Sequence, residues 1–232
     1  MVLLVLWDID HTLVDTRGVG RAIFAEAFHR VTGQEMERQA AVAGRTDQVI
    51  FRETAKLHGI VTGRDDFTAF AQALGEGHIR RAAELRERGH ALTGAASALD
   101  TLAGQRDVDQ SVVTGNIRAA AEIKVSTFGL DQHLSLDRGA YGEDAEDRAE
   151  LVVTALRRAG RTPVEAVIVG DTPADVRAGI DTGVRVLAVA TGRSSEDDLR
   201  TAGADDVLPD LTDTRNVVRL LTDSDHQRAR QD

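Results

Sequence analysis

The sequence predicts an α/β protein, a doubly wound parallel sheet interrupted early by an all-helical insertion. Three observations carry this. Residues 3–7 form a continuous apolar run ending at Trp7, the pattern of a strand buried on both faces of a parallel sheet. From Thr93 onward, short apolar runs alternate with helical patterns, as βα repeats do. Between residues 15 and 89 only the helical period appears. The expected boundaries are 1–14 and 93–222 for a Rossmann-like sheet domain and 15–92 for a helical domain. Residues 223–232 are expected as a polar, frayed tail.

The first inserted helix is marked by Phe24, Ala27, Phe28 and Val31 at i, i+3, i+4 and i+7, with Gly33 as its stop. A second begins at Thr46 or Asp47, turns Ile50, Thr54 and Leu57 inward and ends at Gly59. A third is expected over 65–88, with Phe67, Phe70, Ala71, Leu74, His78, Ala82 and Leu85 on one stripe and Gly75 and Gly77 placed to bend it. On that apolar stripe His78 reads as a structural residue. The sheet domain resumes with a helix over 95–102, a strand over 108–113, a helix over 117–128 and a short strand at 134–136. Val152, Ala155, Leu156 and Ala159 mark the next helix, followed by a strand at 167–169. Pro173 suits the first turn of another helix, where its missing N–H costs nothing. A strand at 184–190, a helix at 196–201, a strand at 207–208 and a helix at 216–221 complete the series.

With 232 residues, 42% hydrophobic and 28% charged, the chain fits one large or two small soluble domains. A net charge of −10 argues against broad binding to nucleic acid or an anionic membrane. It leaves a phosphorylated substrate open, because a metal ion and a few arginines reverse the sign locally. Without cysteine there is no disulfide framework, thiolate nucleophile or zinc–thiolate site. The first apolar run is too short for a signal peptide or a membrane span, so a cytoplasmic protein is expected. Lys56 and Lys124 are the only lysines, which leaves most basic roles to arginine.

Short polar pieces follow the apolar runs: Asp8-x-Asp10-x-Thr12-Leu13, Thr114-Gly115-Asn116, Gly170-Asp171-Thr172-x-x-Asp175 and Thr191-Gly192. The carboxyl ends of parallel strands are where such sheets bind ligands. Each piece alone has an ordinary reading as a turn or a helix cap; their order and common placement give them weight together. On these motifs the sequence resembles the haloacid dehalogenase superfamily of Mg2+-dependent phosphotransferases. The helical block inserted after the first motif is similar to the cap of its phosphoglycolate phosphatase-like branch. Three departures stand out: His11 where glycine is usual, Thr93 where a proline often opens the helix, and a third motif without Lys-Pro.

The resemblance implies hydrolysis of a small phosphorylated metabolite. A monomer or homodimer is expected. Phosphate monoesters react slowly unaided, so a nucleophile must be placed in line and charge on the transferring group neutralised. Asp8 is the expected nucleophile, forming an aspartyl-phosphate, and Asp10 the acid and then base. Mg2+ favours oxygen ligands. The resemblance implies that Asp8 and Asp171 bind it through side chains and Asp10 through its carbonyl. Asp175, one helical turn after Asp171, is either a further ligand through water or the partner of a basic residue. Thr114 and the N–H groups of Gly115 and Asn116 are expected to hold phosphoryl oxygens. For the basic residue, Lys124 lies mid-helix and far from Asp171 in the chain. Arg148, opening the helix before the Asp171 strand, stands where the family places its Lys or Arg. Arg138 is second choice. His11 and Arg45 are candidates for substrate contact. A phosphomutase of the β-phosphoglucomutase type shares every motif; a dehalogenase or a non-catalytic phosphoacceptor fits less well.

Overall fold

A computed structural model describes residues 2–222; the tail expected at 223–232 lies outside the described residues. In chain order the elements are β1 (Leu3–Trp7), β2 (Val14–Asp15), α1 (Val19–Thr32), α2 (Asp47–Leu57), α3 (Arg64–Arg80), α4 (Ala82–Arg88), β3 (His90–Ala91), α5 (Ala95–Ala103), β4 (Val108–Val112) and α6 (Arg118–Thr127). Then come α7 (Arg148–Ala159), β5 (Ala166–Gly170), α8 (Pro173–Thr182), β6 (Arg185–Val189), α9 (Glu196–Ala202), β7 (Asp206–Leu208) and α10 (Thr214–Thr222). A five-stranded parallel sheet has the order β4-β1-β5-β6-β7.

β1 lies between β4 and β5 and is wholly buried. Its side chains alternate between two cores, as the pleat requires. Leu3, Val5 and Trp7 join Leu99, Leu102, Val125 and Leu221 on one face. Leu4 and Leu6 join Leu151, Val152, Val176 and Leu199 on the other. Helices thus cover both faces, which is why the strand reads as uninterrupted apolar sequence. The polar atom of Trp7 is satisfied in the core: its Nε1 donates to Gln110 Oε1 at 3.1 Å.

The helices between β2 and β3 form a third core, with Ile23, Phe24, Phe28, Phe51 and Phe70 at its centre. Phe51 and Phe70 stack with centroids 4.3 Å apart, and Phe24 meets Phe70 edge-on at 4.7 Å. Ile117 and Ala120 of the sheet domain join that core and anchor the insertion. Its entry and exit pair as a short antiparallel ribbon, Val14 with Ala91 and Asp15 with His90.

Three expectations need correction. Leu57, expected to turn inward on α2, is exposed. The helix expected over 65–88 is two, broken at Arg81 (φ −103°, ψ 17°) rather than at Gly75 or Gly77, which are buried within α3. Residues 134–136 form no strand. Leu134 N–H donates back to Asp131 at 3.1 Å and Arg138 N–H to Ser135 at 3.0 Å, so the backbone closes into successive 3-10 turns. The backbone N–H groups of Leu134 and Leu136 are thus spent within the segment, on Asp131 O and Leu134 O, and not on a neighbouring strand.

Candidate active site

Asp8 emerges from β1 between its two neighbouring strands, its N–H donating to Val169 O at 2.8 Å. The chain then reverses around Ile9, whose carbonyl accepts from the N–H groups of Thr12, Leu13 and Val14. His11 takes the left-handed conformation this reversal demands (φ 60°). Glycine suits such a position best, which accounts physically for the residue expected there. His11 is exposed, and its carbonyl accepts from the Thr191 hydroxyl.

Asp8, Asp171 and Asp175 are buried and offer oxygens within 4.8 Å of one another. Arg148 inserts among them: Nη2 lies 2.7 Å from Asp8 Oδ1 and 2.6 Å from Asp175 Oδ1, and Nε donates to the same Asp175 oxygen at 2.6 Å. The other oxygen of Asp175 accepts from the Thr172 N–H at 3.0 Å and hydroxyl at 2.6 Å, closing a capping box at the start of α8. Asp175 therefore spends its oxygens on Arg148 and Thr172, the partner role among the two open to it in the sequence. Asp171 is held more loosely, its Oδ1 accepting from Thr12 Oγ1 at 3.4 Å. Burial, reinforced by neighbouring carboxylates, pushes Asp8 up to about 7 and Asp171 up to about 8. Three buried carboxylates facing one guanidinium leave excess negative charge and a set of hard oxygen donors, which fits a divalent cation such as Mg2+. Arg138 lies elsewhere, paired with Asp109.

On the other side of Asp8, Thr114 follows β4 and is fully buried. Its Oγ1 accepts from Asn116 N at 3.3 Å and Nδ2 at 3.1 Å. Asn116 Nδ2 also donates to Asp10 Oδ2 at 2.8 Å. Lys124 reaches back from α6 to the same carboxylate, with Nζ 2.7 Å from Oδ1 and 2.6 Å from Oδ2, and also donates to Asn116 Oδ1. Burial opposes ionisation of Asp10, yet the Lys124 charge and the hydrogen bonds from Lys124 and Asn116 outweigh it and hold the carboxyl below its usual range. Sequence reasoning set Lys124 aside because of its place in the chain. The available signal was a lysine buried among Ala120, Ala121 and Val125, a position seldom given to an unpaired charge.

The helical insertion closes over this edge through its first loop. Thr46 caps α2, accepting from Val49 N at 3.3 Å. Asp47, which the sequence explains equally as a cap, instead bridges to the sheet domain. Its N–H donates to Gly115 O at 2.7 Å and its Oδ2 accepts from Ile117 N at 2.8 Å. Burial pushes its carboxyl up to about 6. Arg45 is exposed, but its carbonyl lies against Gly115, where a Cβ would come within 2.2 Å. Gly115→Ala is accordingly expected to push this loop off the Thr114 turn, lowering kcat/KM while the sheet domain stays folded. Steady-state kinetics alongside far-UV circular dichroism checks both halves.

A family model for haloacid dehalogenase-like hydrolases matches residues 5–189. No curated protein matches the sequence significantly. Among solved structures, a hydrolase from Pseudomonas syringae is similar at TM-score 0.69 and 18% identity, covering 95% of this chain and 99% of its own. A predicted phosphoglycolate phosphatase from Haemophilus somnus 129PT has TM-score 0.66 and 17% identity, with 94% and 98% covered. CbbY from Rhodobacter sphaeroides, in complex with phosphate, has TM-score 0.64 and 19% identity, with 92% and 96% covered. At these identities the structures speak for the fold, and the model spanning most of the sequence speaks for descent: the chain belongs to the haloacid dehalogenase-like hydrolase family.

Proposed function

We propose that this hydrolase is a Mg2+-dependent phosphatase of a small phosphate monoester. The observation that carries the reading is the buried group of Asp8, Asp171 and Asp175 around Arg148, with the Thr114 turn beside it. Asp8 attacks phosphorus in line, expelling the alcohol and forming an aspartyl-phosphate. Arg148 holds the Asp8 carboxylate in place and, with the Thr114 hydroxyl and the Gly115 and Asn116 N–H groups, offsets charge on the phosphoryl oxygens. Asp8 and Asp171, with the Asp10 carbonyl, would hold the metal, while Asp175 acts by fixing Arg148. When bound, Mg2+ supplies positive charge beside the transferring group. Asp10 gives its proton to the departing oxygen, and as a carboxylate takes one from the water that attacks the acyl-phosphate. Lys124 favours the second, ionised form. A phosphoryl dianion beside Asp10 works in the opposite sense and favours the proton. The helical insertion acts as the cap, excluding bulk water through the Asp47 bridge.

A panel of phosphorylated metabolites assayed for released phosphate tests the reading. Turnover is expected with Mg2+ and none in EDTA; full activity in chelator would remove the metal from the scheme. Thermal unfolding of the metal-free protein adds a check. Carboxyls with raised pKa bind more protons folded than unfolded, so stability falls as pH rises from about 4 to about 8. Mg2+ is then expected to raise Tm more at about pH 8 than at about pH 5.

A further inference from the structure

Asp47 opens α2, yet its side chain is not what caps that helix. Thr46 does so, its hydroxyl accepting from Val49 N at 3.3 Å. Asp47 faces the sheet domain, where its two hydrogen bonds fall on either side of one residue. Its N–H donates to Gly115 O at 2.7 Å and its Oδ2 accepts from Ile117 N at 2.8 Å. Between them stands Asn116, whose Nδ2 donates to Thr114 Oγ1 and to Asp10 Oδ2.

The rest of the turn is tied by the segment 140–142. Thr114 N–H donates to Ala140 O at 3.0 Å, and Gly142 N–H to Asn116 O at 2.8 Å. A Cβ at Gly142 would lie 2.0 Å from Gly115 O, so the segment passes this close only as glycine. The turn is thus clamped by the sheet domain's own chain and by Asp47, and Asp47 is the clamp that comes from the helical insertion. The start of α6 is closed by carboxylates as well. Ile117 N–H is taken by Asp47 and Arg118 N–H by Glu143 Oε2 at 2.7 Å. An open helix start would offer such donors to an anion. With both spent, that task falls to the turn before the helix, where Thr114, Gly115 and Asn116 stand.

We propose that Asp47 is a positioning residue, holding the backbone of Asn116 from both sides so that the Thr114–Asn116 turn keeps the shape that receives phosphoryl oxygens. The assignment builds on the phosphatase reading, since it takes this turn as the phosphoryl seat. The seat is then a joint product of both parts of the molecule. Residues 114–116 supply the donors, and a residue of the insertion sets their direction. A turn already fixed has little freedom to lose when its ligand arrives, and affinity rises accordingly.

The test is calorimetric binding of inorganic phosphate to the full chain with Mg2+. Asp47→Ala is expected to weaken binding about tenfold, the effect of losing a hydrogen bond to a charged group. Asp47→Asn, whose Oδ1 still accepts from Ile117 N–H, is expected to recover most of that loss. Both variants remove the same charge, so their difference reads the hydrogen bond. Arg52→Ala is the control for docking of α2 in general, because the Arg52 side chain bonds to Glu53 and, in the sheet domain, to Glu146. Its Kd should stay close to wild type. Unchanged or tighter binding in Asp47→Ala, an Asn variant as weak as the Ala variant, or an equal loss in Arg52→Ala would overturn the assignment. So would a wild type that binds no phosphate. Absence of phosphate release from every ester, with this order of Kd values intact, would overturn the phosphatase reading and leave the role of Asp47 standing.

Discussion

Asp8→Asn is expected to abolish phosphate release, with kcat falling on the order of 10^4-fold or more, because an amide cannot form the acyl-phosphate. The protein should lose little stability in exchange. Asp8 is a carboxylate pushed up to about 7 chiefly by burial, with Asp175 and Asp10 repelling it. The neutral amide removes that repulsion, while Arg148 keeps two contacts to Asp175. Melting temperature held at or above wild type, together with lost turnover, is the expected pair of readings. Multiple turnovers by the variant would assign the nucleophile elsewhere. A large fall in Tm would mean that the Arg148 contact outweighs the repulsion.

Arg148→Met is expected to damage both activity and fold. The guanidinium is buried with Asp8 and Asp175, and removing it strands carboxylates without their counter-charge, a loss of about 3–5 kcal/mol. Phosphate release should fall as well, since the arginine positions Asp8. The two losses separate in a double variant. Adding Asp175→Asn removes a stranded charge, and its side-chain carbonyl can still accept from Thr172, so denaturant midpoints should recover while kcat does not. If Arg148→Met alone kept wild-type kcat, the arginine would be structural only.

The parts of the molecule legible in the sequence are those whose cause is local. β1 was readable because burial on both faces leaves only apolar residues in the run from Leu3 to Trp7. Asp8, Asp10, Thr114 and Asp171 could be grouped as candidates because each follows an apolar run, and strand ends are where such sheets bind. Arg148 was picked out by the resemblance, which puts a Lys or Arg at the start of that helix, and the structure brings it to Asp8 and Asp175. What escaped depends on meetings between distant segments. Lys124 is separated from Asp10 by 114 positions and reaches it only through the tertiary fold. Asp47 is locally a good helix-start residue, and nothing near it announces the Ile117 N–H it serves. The β2–β3 ribbon is two residues per strand, below the length at which alternation has meaning.

That ribbon also sets how movement can pass between the two parts of the molecule. Val14, which pairs with Ala91, also bridges to Asp10, and the Leu92 N–H donates to Leu13 O at 2.8 Å. The backbone that joins the helical block to the sheet is therefore continuous with the backbone that presents the Asp10 carboxylate. A rotation at the ribbon reaches Asp10 within four residues and needs no relay through side chains. Opening to admit substrate would disturb the aim of Asp10, and closing would restore it. On the phosphatase reading, the ribbon would tie the setting of Asp10 to the position of the helical block.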